Sequence, residues 1–133
     1  MKDRIVLVTG ATRGLGLAIA ENFTQGGAKV ALNYAHDDAS AMSAKERLSS
    51  LGTVESFKAD ALSVDGVESL VANVRDKWGG IDTVVLNATP IQHEKTIDDY
   101  TEEDFESMYR AFVMSPHYLT RAVAPEMKVR RFG

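Results

Sequence analysis

No cysteine occurs in the 133 residues, which removes disulfides and thiolate-bound zinc from consideration. The three histidines, His36, His93 and His117, are too scattered to read as a metal site, so no metal is expected. Long apolar runs are missing too. The opening segment MKDRIVLVTG holds only the short stretch IVLV, too little for the core of a secretory signal. No segment approaches the roughly 18 apolar residues of a membrane helix. Basic charge is scarce as well: 15 Lys and Arg against 19 Asp and Glu give a net charge of −4. No basic stripe offsets it, which disfavours a grip on nucleic acid or an anionic membrane. The tail KVRR (128–131) reads as a solvated surface turn. Together these absences predict a soluble cytoplasmic chain without nucleic-acid or membrane partners.

What is present is an alternation of short apolar runs with longer helical patterns, at a length that fits one domain over residues 1–133 with a real core. IVLV (5–8) is a continuous apolar run, the mark of a strand covered on both faces. Leu15, Ala18, Ile19 and Phe23 fall on one helical face, and Gly26-Gly27 stops that helix. KVALNY (29–34) reads as a second strand. Asp37 or Asp38 caps a helix running to Leu51. TVESF (53–57) is a weaker third strand. Val67, Leu70, Val71, Val74 and Trp78 then repeat at helical spacing up to Gly79-Gly80, and TVVL (83–86) is a fourth strand.

TEED (101–104) has a capping-box pattern with Asp104 in place of the usual Glu. Phe105, Met108 and Phe112 follow on one helical face. Helical character continues to about Met127, with Pro116 expected to kink it or start a new segment. The resulting β-α-β-α-β-α-β-α string predicts an α/β fold: a doubly wound parallel sheet with helices on both faces.

The loop between the first strand and the first helix, VTGATRGLG (8–16), carries Gly10, Gly14 and Gly16 in the pattern T-G-x-x-x-G-x-G. Glycine lets the backbone turn tightly and lets a phosphate approach without a Cβ in the way. The helix that follows points free N–H groups and its positive dipole end at that phosphate. The strand–loop–helix setting is what turns a glycine triplet into a nucleotide-binding signal. No Gly-Lys-Ser/Thr follows, so the loop is not a P-loop.

With VTGxxRGxG, NY after the second strand and NA after the fourth, the chain resembles the classical short-chain dehydrogenase/reductase family over essentially its whole length. The closer likeness is to its 3-oxoacyl-carrier-protein reductase-like members. The resemblance implies a Rossmann-type fold, here cut off after about four strands, so that the domain is incomplete at its C-terminus. It implies cofactor contacts from Gly10, Thr12, Arg13, Gly14, Leu15 and Gly16 in the loop. Asn33 and Tyr34 at the end of strand two, Asp60 and Ala61 after strand three, and Asn87 and Ala88 after strand four complete the set. Asp60 matches the family aspartate that binds the adenine amine, although by composition alone it reads equally as a loop acid or helix cap. In the family an acid at the place of Tyr34 holds the ribose 2′-hydroxyl of NAD. None stands there, and Arg13 matches a cation set against the 2′-phosphate of NADP, so NADP(H) is favoured. Asp37 and Asp38 lie close enough to leave NAD(H) possible. Leu86 and Thr89 depart from the family's NNAG around Asn87-Ala88.

The family's catalytic tyrosine, with a lysine four residues later, is missing. Asp38, Asp104, Val113 and Ala122 follow Tyr34, Tyr100, Tyr109 and Tyr118 at that distance. The family's relay asparagine falls on Phe112, which carries no proton, and His117 and Tyr118 nearby read as packing residues. No catalytic residue is therefore expected in the chain, because the family's serine, tyrosine and lysine lie after a fifth strand. By resemblance the activity is reduction of a small-molecule carbonyl or oxidation of an alcohol by hydride transfer, with PIQHEKTIDDY (90–100) lining one wall of the substrate site. The long helix over 105–127 is expected to serve as a homo-oligomer face. Strand four, left as an apolar edge, is expected to make the isolated segment self-associate. Two other readings stand beside this one: a stand-alone nucleotide-binding module, and a methyltransferase-like adenosyl-binding enzyme. The latter lacks the acid expected at the end of strand two.

Overall fold

A computed structural model describes residues 1–91 and 94–133. Four parallel strands, β1 (Ile5–Val8), β2 (Lys29–Tyr34), β3 (Val54–Lys58) and β4 (Thr83–Val85), form a sheet in the order β3-β2-β1-β4. They are linked by α1 (Gly14–Gln25), α2 (Asp38–Ser49) and α3 (Val64–Trp78). A 3-10 turn over Ile97–Asp99 precedes α4 (Glu102–Tyr109), and a π-helical turn over Arg110–Met114 leads into α5 (Ser115–Arg130).

The strands explain their own composition. Every residue of β1 is buried, because side chains alternate between two covered faces. Ile5 and Leu7 join Val67, Leu70, Val71, Val74, Leu119 and Val123 under α3 and α5. Val6 and Val8 join Ala20, Ala44 and Leu48 under α1 and α2. This is the doubly wound Rossmann-type arrangement that the sequence predicts. Strand order reverses between β1 and β4, so a crevice opens at their C-terminal ends.

Several elements differ from the sequence reading, among them the tail KVRR, read as a solvated turn, of which residues 128–130 close α5 and Arg130 is anchored to Asp82 and Ile81. In α1 the buried residues are Gly16, Ala20 and Thr24, while Leu15 is 71% exposed. The large apolar residues suggest one face, but the helix packs so closely that small residues turn inward. Between the two candidate caps of α2, the structure selects Asp37, whose Oδ1 accepts from Ser40 N–H at 2.9 Å, and the helix ends at Ser49 rather than Leu51. The long helix is broken by the π-helical turn, and of its apolar face Phe105 and Phe112 are more than half exposed while Met108 is half-buried. Of the pair read as core or interface packing residues, Tyr118 packs against the core and His117 is exposed.

Pro116 accounts for the break between α4 and α5. It has no N–H to offer the carbonyl four residues back, and its ring crowds that carbonyl. The turn widens in response, so that Ser115 N–H reaches Arg110 O five residues earlier, and Pro116 then sits in the first turn of α5. Thr101 and Asp104 form the expected reciprocal capping box at the start of α4.

At the N-terminal end of the sheet, Asp82 Oδ2 accepts from Ile5 N–H at 2.9 Å and Asp82 Oδ1 from Arg130 Nη1 at 2.7 Å. Arg130 Nη2 also donates to Ile81 O at 2.6 Å. These bonds fasten the last turn of α5 beneath β4. The outer edge of β4 pairs with no strand among the described residues. Beside it runs a groove of about 330 Å³ lined mainly by Val84, Leu86, Leu119, Val123 and Met127.

Candidate functional site

The crevice is held open by bonds that begin in β1. Thr9, almost wholly buried, donates through Oγ1 to Val85 O at 3.2 Å and accepts at the same atom from Asn87 N–H and Ala88 N–H, each at 3.0 Å. Asn87 Nδ2 donates back to Thr9 O and Gly10 O, both at 3.0 Å. The glycine loop is thereby tied to the end of β4 across the point where strand order reverses.

Two glycines make that closeness possible. Gly10 has φ +62°, and a Cβ on it would lie 3.0 Å from Ala88 Cα. A Cβ on Gly16 would come within 2.5 Å of both Asn87 Nδ2 and Gly10 O. The start of α1 is thus drawn against the loop, and helix geometry leaves its first N–H groups without intrahelical acceptors. Arg13 sits at the N-cap and provides no side-chain cap. An anion is the natural partner for such a helix end.

Over this helix end lies a cleft of about 570 Å³. Its lining includes Gly10, Thr12, Arg13, Leu15, Gly16, Asn33, Tyr34, Asp60, Ala61, Asn87 and Ala88. These are the residues singled out in the sequence, with the exception of Gly14. That glycine stands outside the lining: its φ is +54°, and a Cβ there would meet nothing within 4 Å. Its part is to turn the backbone. Ala35, His36, Asp37, Ala59, Leu62, Thr89, Pro90 and Ile91 complete the wall. Of the segment expected to line a substrate wall, Pro90 and Ile91 reach the cleft, while Gln92 and His93 lie outside the described residues.

Several lining side chains are already engaged with the protein. Asn33 Nδ2 donates to Ala59 O at 2.9 Å and Phe57 O at 3.3 Å, and Asn33 O accepts from Ala11 N–H at 2.9 Å. It therefore joins the ends of β2 and β3 to the loop. Asp60 Oδ1 accepts from Leu62 N–H at 2.9 Å, closing a tight turn, whereas the cap of α3 is Ser63. Ser115, which nothing in the sequence marks, donates from its buried Oγ to Ala61 O at 2.7 Å and fixes that turn against α5.

The end of the cleft beside β2 carries the charges. Asp37 accepts from Ser40 N–H and, at 2.6 Å, from Ser40 Oγ. The Ser40 hydrogen bonds hold its carboxyl below the usual range, with Arg13's charge adding to the effect. Asp38 accepts from Lys58 Nζ at 2.7 Å and Tyr34 Oη at 2.9 Å, and its carboxyl is likewise lowered, Lys58 contributing most. The bond to Asp38 raises Tyr34's pKa, and the same carboxylate raises that of Lys58. The Arg13 guanidinium makes no hydrogen bond or ion pair among the described residues. Glycines in the loop, a free helix end and an unpaired cation are donors suited to a phosphorylated ligand.

The model of the short chain dehydrogenase family matches residues 4–133. The chain belongs to the short-chain dehydrogenase family. Among relatives, it is 35% identical over 137 aligned positions to human dehydrogenase/reductase SDR family member 4, covering all of this chain and 48% of that protein. It is 31% identical over 122 positions to the hydroxynaphthalene reductase arp2 of Aspergillus fumigatus, covering 91% of this chain and 44% of that one. The chain spans about half the length of the curated relatives it matches.

Two solved structures of short-chain dehydrogenases superpose closely. L-sorbose reductase of Gluconobacter frateurii, complexed with NADPH and L-sorbose, gives a TM-score of 0.89 at 30% identity over 98% of this chain and 49% of that one. A metagenomic short-chain oxidoreductase in complex with NADP gives 0.90 at 26% identity over 100% and 60%. This chain is thus the fold of an oxidoreductase family whose solved members include nicotinamide-cofactor complexes. Among the described residues, no helix is long and apolar enough to cross a membrane.

Proposed function

We propose that the cleft holds NADP(H), and that this chain is the nucleotide-binding half of an NADP(H)-dependent oxidoreductase acting on a small carbonyl or alcohol. One observation carries the reading. Arg13 is the unpaired cation at the rim, while the two carboxylates that would otherwise select a ribose hydroxyl are committed, Asp37 to Ser40 and Asp38 to Lys58 and Tyr34. A 2′-phosphate meets a fork-shaped donor there. The glycine loop and the N–H groups opening α1 would hold the pyrophosphate. The free oxygen of Asp60 stands ready for the adenine amine, and the backbone at Asn87 and Ala88 would flank the ribose on the nicotinamide side.

The nicotinamide, when bound, supplies or accepts the hydride. The chain's own part is to bind and orient: Asn87 and Thr9 fix the loop against β4, and Asn33 fixes the floor at β2 and β3. Among the described residues, none forms the family's pairing of a tyrosine with a lysine beside the cleft. No tyrosine has a lysine four residues on, and Phe112 lies half exposed on the π-helical turn. These 133 residues are accordingly expected to bind cofactor without turning it over. The likeness to 3-oxoacyl-carrier-protein reductases rests on the glycine-loop and NY motifs and fixes no substrate.

The exposed stripe of Phe105, Tyr109, Phe112 and Val113 supports a homo-oligomer face on the long helix, since contiguous exposed apolar residues mark contact surfaces. A second reading, a nucleotide-binding module without catalysis, is favoured by Phe112, Leu86 and Thr89. Calorimetric titration tests the cofactor: NADPH is expected to bind about tenfold more tightly than NADH, and equal or reversed affinities overturn the preference. Reduction of small ketones with NADPH by the complete gene product separates oxidoreductase from module.

A further inference from the structure

Lys58 and Tyr34 are neighbours in the parallel register of β2 and β3, and both side chains bond one carboxylate, that of Asp38 in the first turn of α2. Lys58 Nζ lies 2.7 Å from Oδ2 and 3.0 Å from Oδ1, and Tyr34 Oη donates to Oδ1 at 2.9 Å. Tyr34 lines the cleft, and Lys58 directly precedes Ala59 and Asp60, which line it too. Neither Lys58 nor Asp38 is itself part of the lining. A second cation therefore stands beside the cleft, bound by the same exposed carboxylate that holds the phenol of its wall.

We propose that Asp38 is a specificity-determining positioning residue, which holds Lys58 away from the adenosine end of the cleft while pinning Tyr34 at its wall, and so limits its preference for a 2′-phosphorylated nucleotide. The inference rests on the nucleotide reading above. Its physical basis is competition: a 2′-phosphate and Asp38 are both anions seeking the same ammonium, and the intramolecular partner is always present. With Arg13 alone at the rim, the site retains measurable affinity for the unphosphorylated nucleotide. Releasing Lys58 adds a flexible point charge and removes a like charge from the phosphate's surroundings. All three side chains reach solvent, so salt screens the effect.

The probes are 2′,5′-ADP and 5′-AMP, which differ only in the 2′-phosphate, titrated calorimetrically into the purified protein at low and high salt. Asp38→Ala is expected to tighten 2′,5′-ADP about fivefold at low salt, less at high salt, and to leave 5′-AMP within about twofold. Asp38→Glu should keep the native ratio, and adding Lys58→Met to Asp38→Ala should cancel the gain. Asp38→Asn, nearly isosteric, serves if the alanine variant does not fold. A loss of α2 stability alone would shift both ligands together and leave their ratio fixed. The proposal is overturned if the ratio does not change, or if the gain survives without Lys58. If the native protein binds neither probe, the nucleotide reading falls and this inference with it. If it binds both and only the ratio fails to respond, the nucleotide reading stands and Asp38 has no such role.

Discussion

At the N-terminal end of the sheet, Asp82 accepts from Ile5 and Arg130, Arg130 reaches Ile81 O, and the guanidinium of Arg4 lies 3.4 Å from the centre of the Phe132 ring. At the C-terminal end, Thr9, Asn33 and Asn87 bond backbone groups just as thoroughly, yet a cleft of about 570 Å³ remains above them. The lower end spends charged side chains on closing the fold, and the upper end spends neutral ones. Above the cleft floor, the cation Arg13 and the opening N–H groups of α1 are left for something else. On the proposed reading, opposite ends of the same strands divide stability from binding, as expected where open parallel sheets take ligands beyond their C-terminal ends.

The division is broken most severely at Gly16. Gly16→Ala pushes a methyl group into Gly10 O and Asn87, and is expected to lower stability by about 2 kcal/mol and to abolish NADPH binding. Urea unfolding and calorimetry read the two effects. Asp82→Ala is expected to cost a similar amount, about 2 kcal/mol, while leaving cofactor affinity unchanged. A large loss of affinity there would blur the two ends into one. Asn87→Ala removes two side-chain bonds to the loop and should cost about 1 kcal/mol together with a several-fold loss of NADPH affinity.

Arg13→Ala belongs wholly to the upper end. It should leave the unfolding midpoint in place and weaken NADPH about tenfold, with NADH unaffected. The smallest effect lies away from both ends. The carboxyl of Asp104 is lowered from its ordinary 3.8 to about 2 by Lys95 first, then by the backbone and side chain of Thr101. A depressed folded-state pKa adds stability that is full above the ordinary value and fades as pH falls through the lowered one. The capping box of α4 should therefore loosen between about pH 4 and pH 2, visible as faster amide exchange at Asp104 and Phe105.

Much of the upper end is legible in the chain because its chemistry is local. Gly10, Arg13 and Gly16 fall within seven residues, and strand and helix signals on either side say which way the loop faces. The role of Asn87 is less legible, since its partners Thr9 and Gly10 are more than seventy residues away. Ser115 and Arg130 also act over long stretches of chain, 54 and 48 residues, and carry no local pattern at all. Helix orientation misleads where size and burial part company. In α1 the fully buried residues are a glycine, an alanine and a threonine, with Ile19 and Phe23 only partly buried against the core beside them, so a reading keyed to large apolar side chains finds the flank of the buried face rather than its centre. Along α4 the sequence shows an apolar face without showing what covers it, and Phe105 is more than half exposed. The choice between Asp37 and Asp38 as cap could not be made from type alone, because both are good caps. Tertiary partners decided it: Lys58 and Tyr34 draw Asp38 away.

The central claim, that the upper end and not the lower one is the ligand site, is tested most directly by a ¹⁵N-resolved amide spectrum recorded during titration with NADP⁺. The account predicts shifts at Arg13 through Leu17, at Asp60 and Ala61 and at Asn87 and Ala88, with Asp82, Arg130 and Phe132 unmoved. Shifts confined to the Asp82–Arg130 end, or no shifts at millimolar cofactor, would contradict it.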